Sequence, residues 1–313
     1  MSAVEPRTNI DFMAMRHACF LLSFVCLLIC IYSWFSSGSA KFGIDFVGGT
    51  DVVVKFDDTG INLAKVRQSL NGSGLSSVSV QEFERGSNEF SIRVKGLEVG
   101  DVSASIKKAL GSISSKFEIL RVDYVGPIIG EKIKVDGFKS IAFAIFVLLA
   151  YISWRFEFRY AVGAVLALTH DVIMAAGVFI LFGGEIGASA LAALLTILGY
   201  SVNDTIIVYD RVRENMLLSL SKGGESRIGS LSLKKMTPKD IINLSINQTL
   251  SRTILTSGTT LFTCLTLWLY GGGAISDLAF ILTVGILTGT YSSIFIAAPL
   301  ILSMSRQVRQ VKS

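Results

Sequence analysis

The chain has 313 residues, of which 51% are hydrophobic and 17% are charged, and its mean hydropathy is +0.58. Because about a quarter of the residues in soluble domains are charged, this composition excludes an ordinary soluble globular protein and indicates a membrane protein. The formal net charge is +5. The basic loop residues flank apolar segments, so we expect them to orient helices against anionic lipid and we expect no nucleic-acid partner.

The cysteine, histidine and glycine patterns exclude several kinds of chemistry. All 4 cysteines lie inside apolar runs, so no disulfide framework and no structural metal site is expected. With His17 and His170 as its only histidines, the sequence offers no base for nucleophilic catalysis. It also lacks the glycine-rich motif that cradles nucleotide phosphates. We therefore expect a protein that is not an enzyme and that uses no cofactor.

The first predicted element is an apolar span at 18–35, which follows a tail at 1–17. A membrane-spanning helix needs about 20 mostly apolar residues, and this segment meets that requirement. The small residues Gly38, Ser39 and Ala40 resemble a signal-peptide cleavage site, so removal of the segment is an alternative. Its apolar run is longer than the usual ~7 to 15 residues of a cleaved segment, which favours a retained helix.

A polar region at 36–137 comes next and shows the periodicities of a small domain. Alternating apolar residues predict strands, and a spacing of three to four predicts helices. The strands are expected at 51–56, 77–83, 90–95 and 117–125, and the helices at 62–70 and 101–110. The order β-α-β-β-α-β is that of a ferredoxin-like α+β domain.

The remaining apolar spans lie within 138–304 and complete the membrane part. They are predicted at 138–154, 161–182, 187–209, 253–270 and 277–304, with a loop at 210–252 and a closing tail at 305–313. The predicted fold is therefore an all-α bundle of six transmembrane helices with one ferredoxin-like extracytoplasmic domain.

The distribution of basic residues predicts the orientation of this bundle. Arg155 and Arg159 join the second and third spans, whereas the loops at 183–186 and 271–276 contain no lysine or arginine. Since loops rich in these residues stay in the cytoplasm, both termini and the loop at 210–252 are expected there. Residues 36–137 are then extracytoplasmic, and the chain is a multi-pass membrane protein.

Ionisable residues inside the spans are the candidate functional groups, because a charge at the bilayer centre costs at least about 2.5 to 3.5 kcal/mol. Asp204, beside Asn203 in the fourth span, is expected about 9 Å from the cytoplasmic boundary, and Arg252 opens the fifth span from the same side. Desolvation raises the pKa of a carboxyl group and a nearby guanidinium lowers it. An aspartate under both influences could therefore gain and lose a proton as helices move. The alternative is a fixed ion pair that locks the bundle. For Asp171, with His170 beside it in the third span, a structural polar contact is the alternative to a proton-relay role.

Small residues predict where the helices touch, because close backbone approach drives helix association in lipid. Gly285 and Gly289 form a G-x-x-x-G step in the sixth span. Spans four and six are therefore expected to face protein. We also expect a homologous six-span partner to cover the charged face of the bundle, with Gly289 near the contact.

Six sequence segments together resemble the SecF family of protein-export subunits. They are FGIDFVGGT at 42–50, which includes Asp45, Gly48 and Gly49; VGPIIG at 125–130, which includes Gly126 and Pro127; THDV at 169–172; GYSVNDTIIVYDRVREN at 199–215; INQTLSRTILTSGTT at 246–260; and GTYSSIFIAA at 289–298. Each segment alone is weakly specific, but their order and membrane context are specific together.

The resemblance implies a location in the bacterial inner membrane, with residues 36–137 in the periplasm. It also implies a partner and a source of energy. SecF proteins pair with SecD, a larger homologue, and use the proton-motive force to promote late steps of export through the SecYEG channel after SecA. The implied partners therefore include SecD, SecYEG with SecA, YajC, YidC, the translocating polypeptide and protons. In this family the residues matching Asp204 and Arg252 are implicated in proton passage. A proton-coupled small-molecule exporter and a passive translocon scaffold are the alternative functions.

Overall fold

The computed structural model describes residues 8–58, 60–71, 78–82, 88–96, 99–114, 116–220, 227–228, 231–233 and 236–302. The predicted tail at 305–313 and the first seven residues of the predicted tail at 1–17 lie outside these ranges. In chain order the elements are α1 (Phe12–Ser36), α2 (Ile44–Val47), β1 (Gly49–Phe56), α3 (Leu63–Asn71), β2 (Val78–Glu82), β3 (Glu89–Lys95), α4 (Val99–Leu110), β4 (Phe117–Val125), α5 (Pro127–Arg155), α6 (Phe158–Leu181), α7 (Ala188–Leu220), β5 (Arg227–Ile228), β6 (Leu231–Ser232), α8 (Pro238–Tyr270) and α9 (Gly273–Ser292), and a π-helical segment, Ser293–Ala297, continues α9.

The four strands β1 to β4 form one small sheet in the order β2-β3-β1-β4, and every pair is antiparallel. Alternate residues of β1 point to one face, where Val52 and Val54 are fully buried. Helices α3 and α4 cover that face with side chains such as Leu70 and Ile106. All six elements predicted from periodicity are present here, because alternation in the strands and a 3.6-residue repeat in the helices each bury one face.

Five helices are long and apolar enough to cross a membrane, namely α1, α5, α6, α7 and the stretch Gly273–Leu302. The predicted fifth span, at 253–270, is the second half of α8 and is not among them. Six threonines between Thr253 and Thr266 lower the hydropathy of this stretch. Helix α8 nevertheless packs along both α7 and α9.

The predicted loop at 210–252 is helical at both ends, because α7 continues to Leu220 and α8 begins at Pro238. An i,i+3 ion pair between Arg211 and Glu214, 2.6 Å apart, supports the polar extension of α7. Thr237 caps α8 through a reciprocal capping box with Asp240. Hydrogen bonds from the Thr237 hydroxyl and backbone hold the pKa of Asp240 below its usual value. Sequence hydropathy detects only the apolar part of such helices.

The small sheet is tied to the ends of the membrane helices by polar contacts. Lys95 of β3 lies 2.9 Å from Glu185 in the turn between α6 and α7. Arg93 of the same strand lies 3.8 Å from Asp277 at the start of α9. The segment before α2 also pairs with this turn, since Gly43 N–H donates to the Ile186 carbonyl at 3.0 Å. The sheet is therefore held against the turn before α7 and the first turn of α9.

Candidate functional site: buried carboxylates in the helix bundle

Asp204 lies on the inward face of α7 and is only 1% exposed. Its carboxylate accepts a hydrogen bond from the Ser257 hydroxyl of α8 at 3.1 Å. That hydroxyl in turn accepts from the Thr290 hydroxyl of α9 at 2.8 Å. The spacing of the buried α7 residues Ser201, Asp204 and Val208 is the three-to-four repeat of one helix face. Asp204 therefore joins three helices through two neutral hydroxyl groups.

Asp171 is fully buried on α6 and joins a different set of helices. Its Oδ2 atom accepts from the Ser201 hydroxyl of α7 at 2.6 Å and from the Ser292 hydroxyl of α9 at 2.7 Å. Its Oδ1 atom lies 3.0 Å from Nδ1 of His170. The other ring nitrogen of His170 is buried and has no hydrogen-bond partner among the described residues. Three polar groups thus converge on one carboxylate in the bundle core.

The two carboxylate networks both use α7 and α9. Ser201 and Asp204 are one turn apart on α7, whereas Thr290 and Ser292 are two residues apart on α9 and therefore face different sides of that helix. The π-helical segment begins directly after Ser292, and such segments are frequent at functional sites. The two networks together place polar groups on α6, α7, α8 and α9, and we call this set of groups the polar layer. Sequence reasoning found the two aspartates but missed the serine and threonine partners, which were visible only as polar residues within apolar spans.

Arg252 is exposed on α8 and forms no ion pair with Asp204 in the described part of the chain. The two antiparallel helices are aligned by the Asn215 amide, which donates to the Ser245 hydroxyl at 2.8 Å, and by the Ser257–Asp204 contact. Arg252 precedes Ser257 by five residues, or about 7 Å along the helix axis. Arg252 is therefore not in contact with Asp204 in the described part of the chain, although its charge is near enough to act on that carboxylate.

Asn203 is exposed on the surface of α7, about 100° around the helix from the buried Asp204. It continues a stripe of exposed small or polar residues at helical spacing, which are Ala192, Thr196, Gly199 and Asn203. A second exposed polar stripe on α8 contains Arg252, Thr259, Thr263 and Thr266. Together these residues form the polar outer face of α7 and α8. Such a face is costly against lipid hydrocarbon, so it is a candidate surface for contact with another protein.

The glycines of the first family motif make the joint between the small domain and α5. Gly48 has φ +88°, and a Cβ there would lie 2.9 Å from Pro127, the first residue of α5. Gly49 has φ +152°, and a Cβ there would lie 2.3 Å from the Val94 carbonyl oxygen. Gly126 is the N-cap residue of α5. Close backbone approach and positive φ thus require Gly48 and Gly49, whereas a Cβ at Gly126 would meet only the Tyr124 ring, at 3.9 Å.

Asp45 of the same motif acts on α7, far away in sequence. Its Oδ2 atom accepts from the backbone N–H of Ala188 at 2.8 Å, the first residue of α7. A carboxylate at a helix N-terminus satisfies a free N–H and interacts favourably with the helix dipole. Asp45 therefore fixes the N-terminal end of the helix that carries Asp204 at its middle.

Gly285 and Gly289 lie against α7 within this chain. A Cβ at Gly285 would lie 2.2 Å from Cδ1 of Ile197, and a Cβ at Gly289 would lie 3.0 Å from Cβ of Ser201. The prediction that spans four and six face protein is confirmed, since α9 packs on α7. The expectation that Gly289 lies near a contact with a partner is wrong, because intrachain packing occupies this side of α9.

Comparison with known proteins gives consistent matches along the chain. Residues 105–307 match the family described as "Protein export membrane protein SecD/SecF, C-terminal". A protein translocase subunit SecF from Calditerrivibrio nitroreducens is 38% identical over 306 residues, which cover 96% of each chain. The SecF subunit of Vibrio alginolyticus is also 38% identical, over 97% of this chain and 92% of its own length.

Two solved structures are also similar. The crystal structure of SecDF from Thermus thermophilus, described as a translocon-associated membrane protein, has a TM-score of 0.80 and 30% identity, over 96% of this chain and 39% of that chain. A second SecDF structure, in a super-membrane-facing form, has a TM-score of 0.68 and 31% identity, over 100% of this chain and 40% of that one. The chain therefore spans about two fifths of the SecDF chains that it matches.

Proposed function

Because the chain belongs to the SecF family of protein translocase subunits, we propose that it pairs with a SecD protein and couples proton movement at Asp204 to protein export. In each SecDF structure a single chain contains a part that matches this chain and a longer part that does not. A separate SecD chain would supply the longer part. The complex acts on polypeptides emerging from SecYEG and SecA, with YajC and YidC as further partners. It is not an enzyme, and its energy comes from the proton gradient.

The proposed topology has six spans, with the second half of α8 as the fifth. Its 18 residues at 253–270 would cover about 27 Å, close to the thickness of a hydrocarbon core. The threonine hydroxyls of this stretch donate to carbonyls one turn earlier, as Thr263 does to Thr259 at 3.2 Å. Such internal bonds lower the cost of placing hydroxyl groups in lipid. The outer domain is ferredoxin-like, a proposal that the sheet order β2-β3-β1-β4 and two helices on one face support.

Cysteine labelling tests this topology, with a periplasmic outer domain and cytoplasmic termini in the inner membrane. Lys116, before β4, and Lys239, in the first turn of α8, are outside the apolar spans. We expect Lys116→Cys to react with an impermeant maleimide in intact spheroplasts, and Lys239→Cys to react only after lysis. The parent chain with its four native cysteines gives the background. Labelling of Lys239→Cys in intact spheroplasts would contradict the orientation.

The polar outer face of α7 and α8 is the proposed contact with SecD. Arg252 and Asn203 are exposed on it, and coverage by a homologous partner would remove them from lipid. A Cβ at Gly199, on the same face, would meet nothing within 4 Å in this chain. Close approach by another helix would therefore be possible at this position, as small residues permit in membrane bundles.

A matched pair of substitutions tests this contact. Ala192 on α7 and Ala150 on α5 are both exposed alanines on membrane helices. We expect Ala192→Trp to reduce co-purification of SecD at least about fivefold, because overpacking a tight contact costs about 1 to 3 kcal/mol. Ala150→Trp, on a surface proposed to meet lipid, should leave co-purification unchanged. Equal yields of SecD with both variants would place the contact elsewhere.

Proton coupling follows from the setting of Asp204. It is buried, it accepts from one hydroxyl, and it has no ion pair among the described residues. A proton arriving there would remove a charge from the bundle core and change the contact with Ser257 of α8. One charge crossing the membrane provides about 2.3 kcal/mol per 100 mV, enough to shift a two-state equilibrium by more than tenfold. Asp45 at the outer end of α7 would pass the shift to the outer domain.

The observation that carries this proposal is the buried carboxylate of Asp204 bridged to α8 and α9 by neutral hydroxyls. Export into inverted membrane vesicles, measured with and without a proton gradient, tests the coupling directly. A passive scaffold would stimulate export equally under both conditions. A small-molecule exporter would leave export of a model preprotein unaffected when the chain is deleted.

A further inference from the structure

An apolar groove opens on the bundle surface between α1, α5 and α6, away from the polar layer. Its volume is about 290 Å³. The lining side chains are apolar and include Trp34 and Phe35 of α1, Phe138 and Ile141 of α5, and Ile173 and Ala176 of α6. Phe35 is 76% exposed at the open side. The groove is thus accessible from the region where lipid chains lie.

An aromatic cluster closes one end of this groove. The rings of Trp34, Phe42 and Phe138 lie in mutual edge-to-face contact, with centroids 6.1 to 6.4 Å apart. Trp34 and Phe138 lie near the outer ends of the predicted first and second spans. Aromatic residues favour the membrane–water interface at such positions. The closed end of the groove therefore lies at the depth of the lipid headgroups.

Two lysines lie on the opposite side of the aromatic cluster. The Lys41 ammonium is 4.7 Å from the centre of the Trp34 ring and 5.3 Å from that of Phe42. The Lys134 ammonium is 5.5 Å from the Phe42 ring, so the same ring contacts both cations. Glu131 pairs with Lys134, whereas Lys41 takes part in none of the ion pairs between described residues and donates to the Trp34 carbonyl at 2.7 Å. A positive charge therefore remains beside the headgroup end of the groove.

We propose that this groove binds one anionic phospholipid, with an acyl chain along Ile173 and Ala176 and its phosphate beside Lys41 and Lys134. The apolar walls suit hydrocarbon and exclude a free polar ligand. The lysines suit a negative headgroup, since each basic residue near the membrane surface strengthens binding to anionic lipid about fivefold. The site depends on the membrane setting of α1, α5 and α6 and not on proton coupling at Asp204.

Native mass spectrometry of the purified full chain can test the site, with phosphatidylglycerol as the probe and phosphatidylcholine as the neutral comparison. We expect K41Q and K134Q together to weaken phosphatidylglycerol binding at least about tenfold. We expect I173W, which fills the groove, to weaken it similarly. Lys139→Gln removes an exposed lysine from α5, and Phe146→Trp enlarges a lipid-facing side chain on the same helix. Both control variants should bind as the parent does.

Three results would overturn the proposal. One is equal binding of phosphatidylcholine and phosphatidylglycerol by the parent chain. Another is unchanged phosphatidylglycerol binding by either the lysine pair variant or I173W. The third is displacement of the lipid by inorganic phosphate at a concentration similar to that of the lipid, which would indicate a phosphate site. Thermal unfolding of each variant in detergent shows whether a loss of binding reflects a loss of fold.

Discussion

Asp204→Asn is expected to abolish the part of export stimulation that depends on the proton gradient, while the protein stays inserted and bound to SecD. Asparagine retains an oxygen that accepts from the Ser257 hydroxyl, so the bridge from α7 to α8 is kept. It has no proton to gain or lose, so the charge change in the bundle core is lost. The measurement is the rate of preprotein export into inverted vesicles, with and without an uncoupler.

Asp210→Asn is the matched control for this substitution. Asp210 lies on the same helix but is exposed and pairs with Arg155 at 3.5 Å. A surface ion pair of this kind contributes about 0 to 1 kcal/mol, so its loss should leave export stimulation intact. If Asp204→Asn retained full gradient-dependent stimulation, Asp204 would not be a proton carrier, and the scaffold function would be favoured.

Local sequence patterns predicted the small sheet well, because its signals are local. The alternation in β1 and the helical repeat of α3 both follow from one buried face, as Val54 and Leu70 show. The charged residues inside apolar spans were equally visible. Asp204 and Asp171 could be identified because burial of a carboxylate in a membrane helix needs a specific reason.

Contacts between distant segments could not be predicted from these patterns. Asp45 caps α7 across 143 residues of sequence, and no local periodicity reports such a pairing. The distance between Arg252 and Asp204 depends on the register between α7 and α8. Hydropathy also predicts only the apolar part of a helix, whereas α7 continues through the charged residues Arg211 and Glu214. The neighbour of Gly289 was wrongly predicted for a similar reason. A small residue indicates a close helix contact but does not indicate which helix makes it.

Asp171 is expected to stabilise the bundle by joining three helices, and Asp171→Ala is expected to be the most destabilising polar substitution in the bundle. It would leave the Ser201 hydroxyl and the His170 ring nitrogen without this acceptor, whereas the Ser292 hydroxyl would keep the Gly289 carbonyl at 3.1 Å. Each buried polar group left unpaired costs about 1 to 3 kcal/mol, so the free energy of unfolding should fall by at least about 2 kcal/mol. Denaturant unfolding in mild detergent, followed by tryptophan fluorescence, measures this change.

Two further variants distinguish a structural role of Asp171 from a proton-relay role. Ser292→Ala removes one donor and leaves Asp171 with two partners, so a loss of about 1 kcal/mol is expected. Asp171→Asn keeps an acceptor for the serine hydroxyls but cannot ionise, and we expect it to retain most of the stability and gradient-dependent export. Full stability of Asp171→Asn together with complete loss of export would instead make Asp171 a second proton carrier, acting through the same polar layer as Asp204.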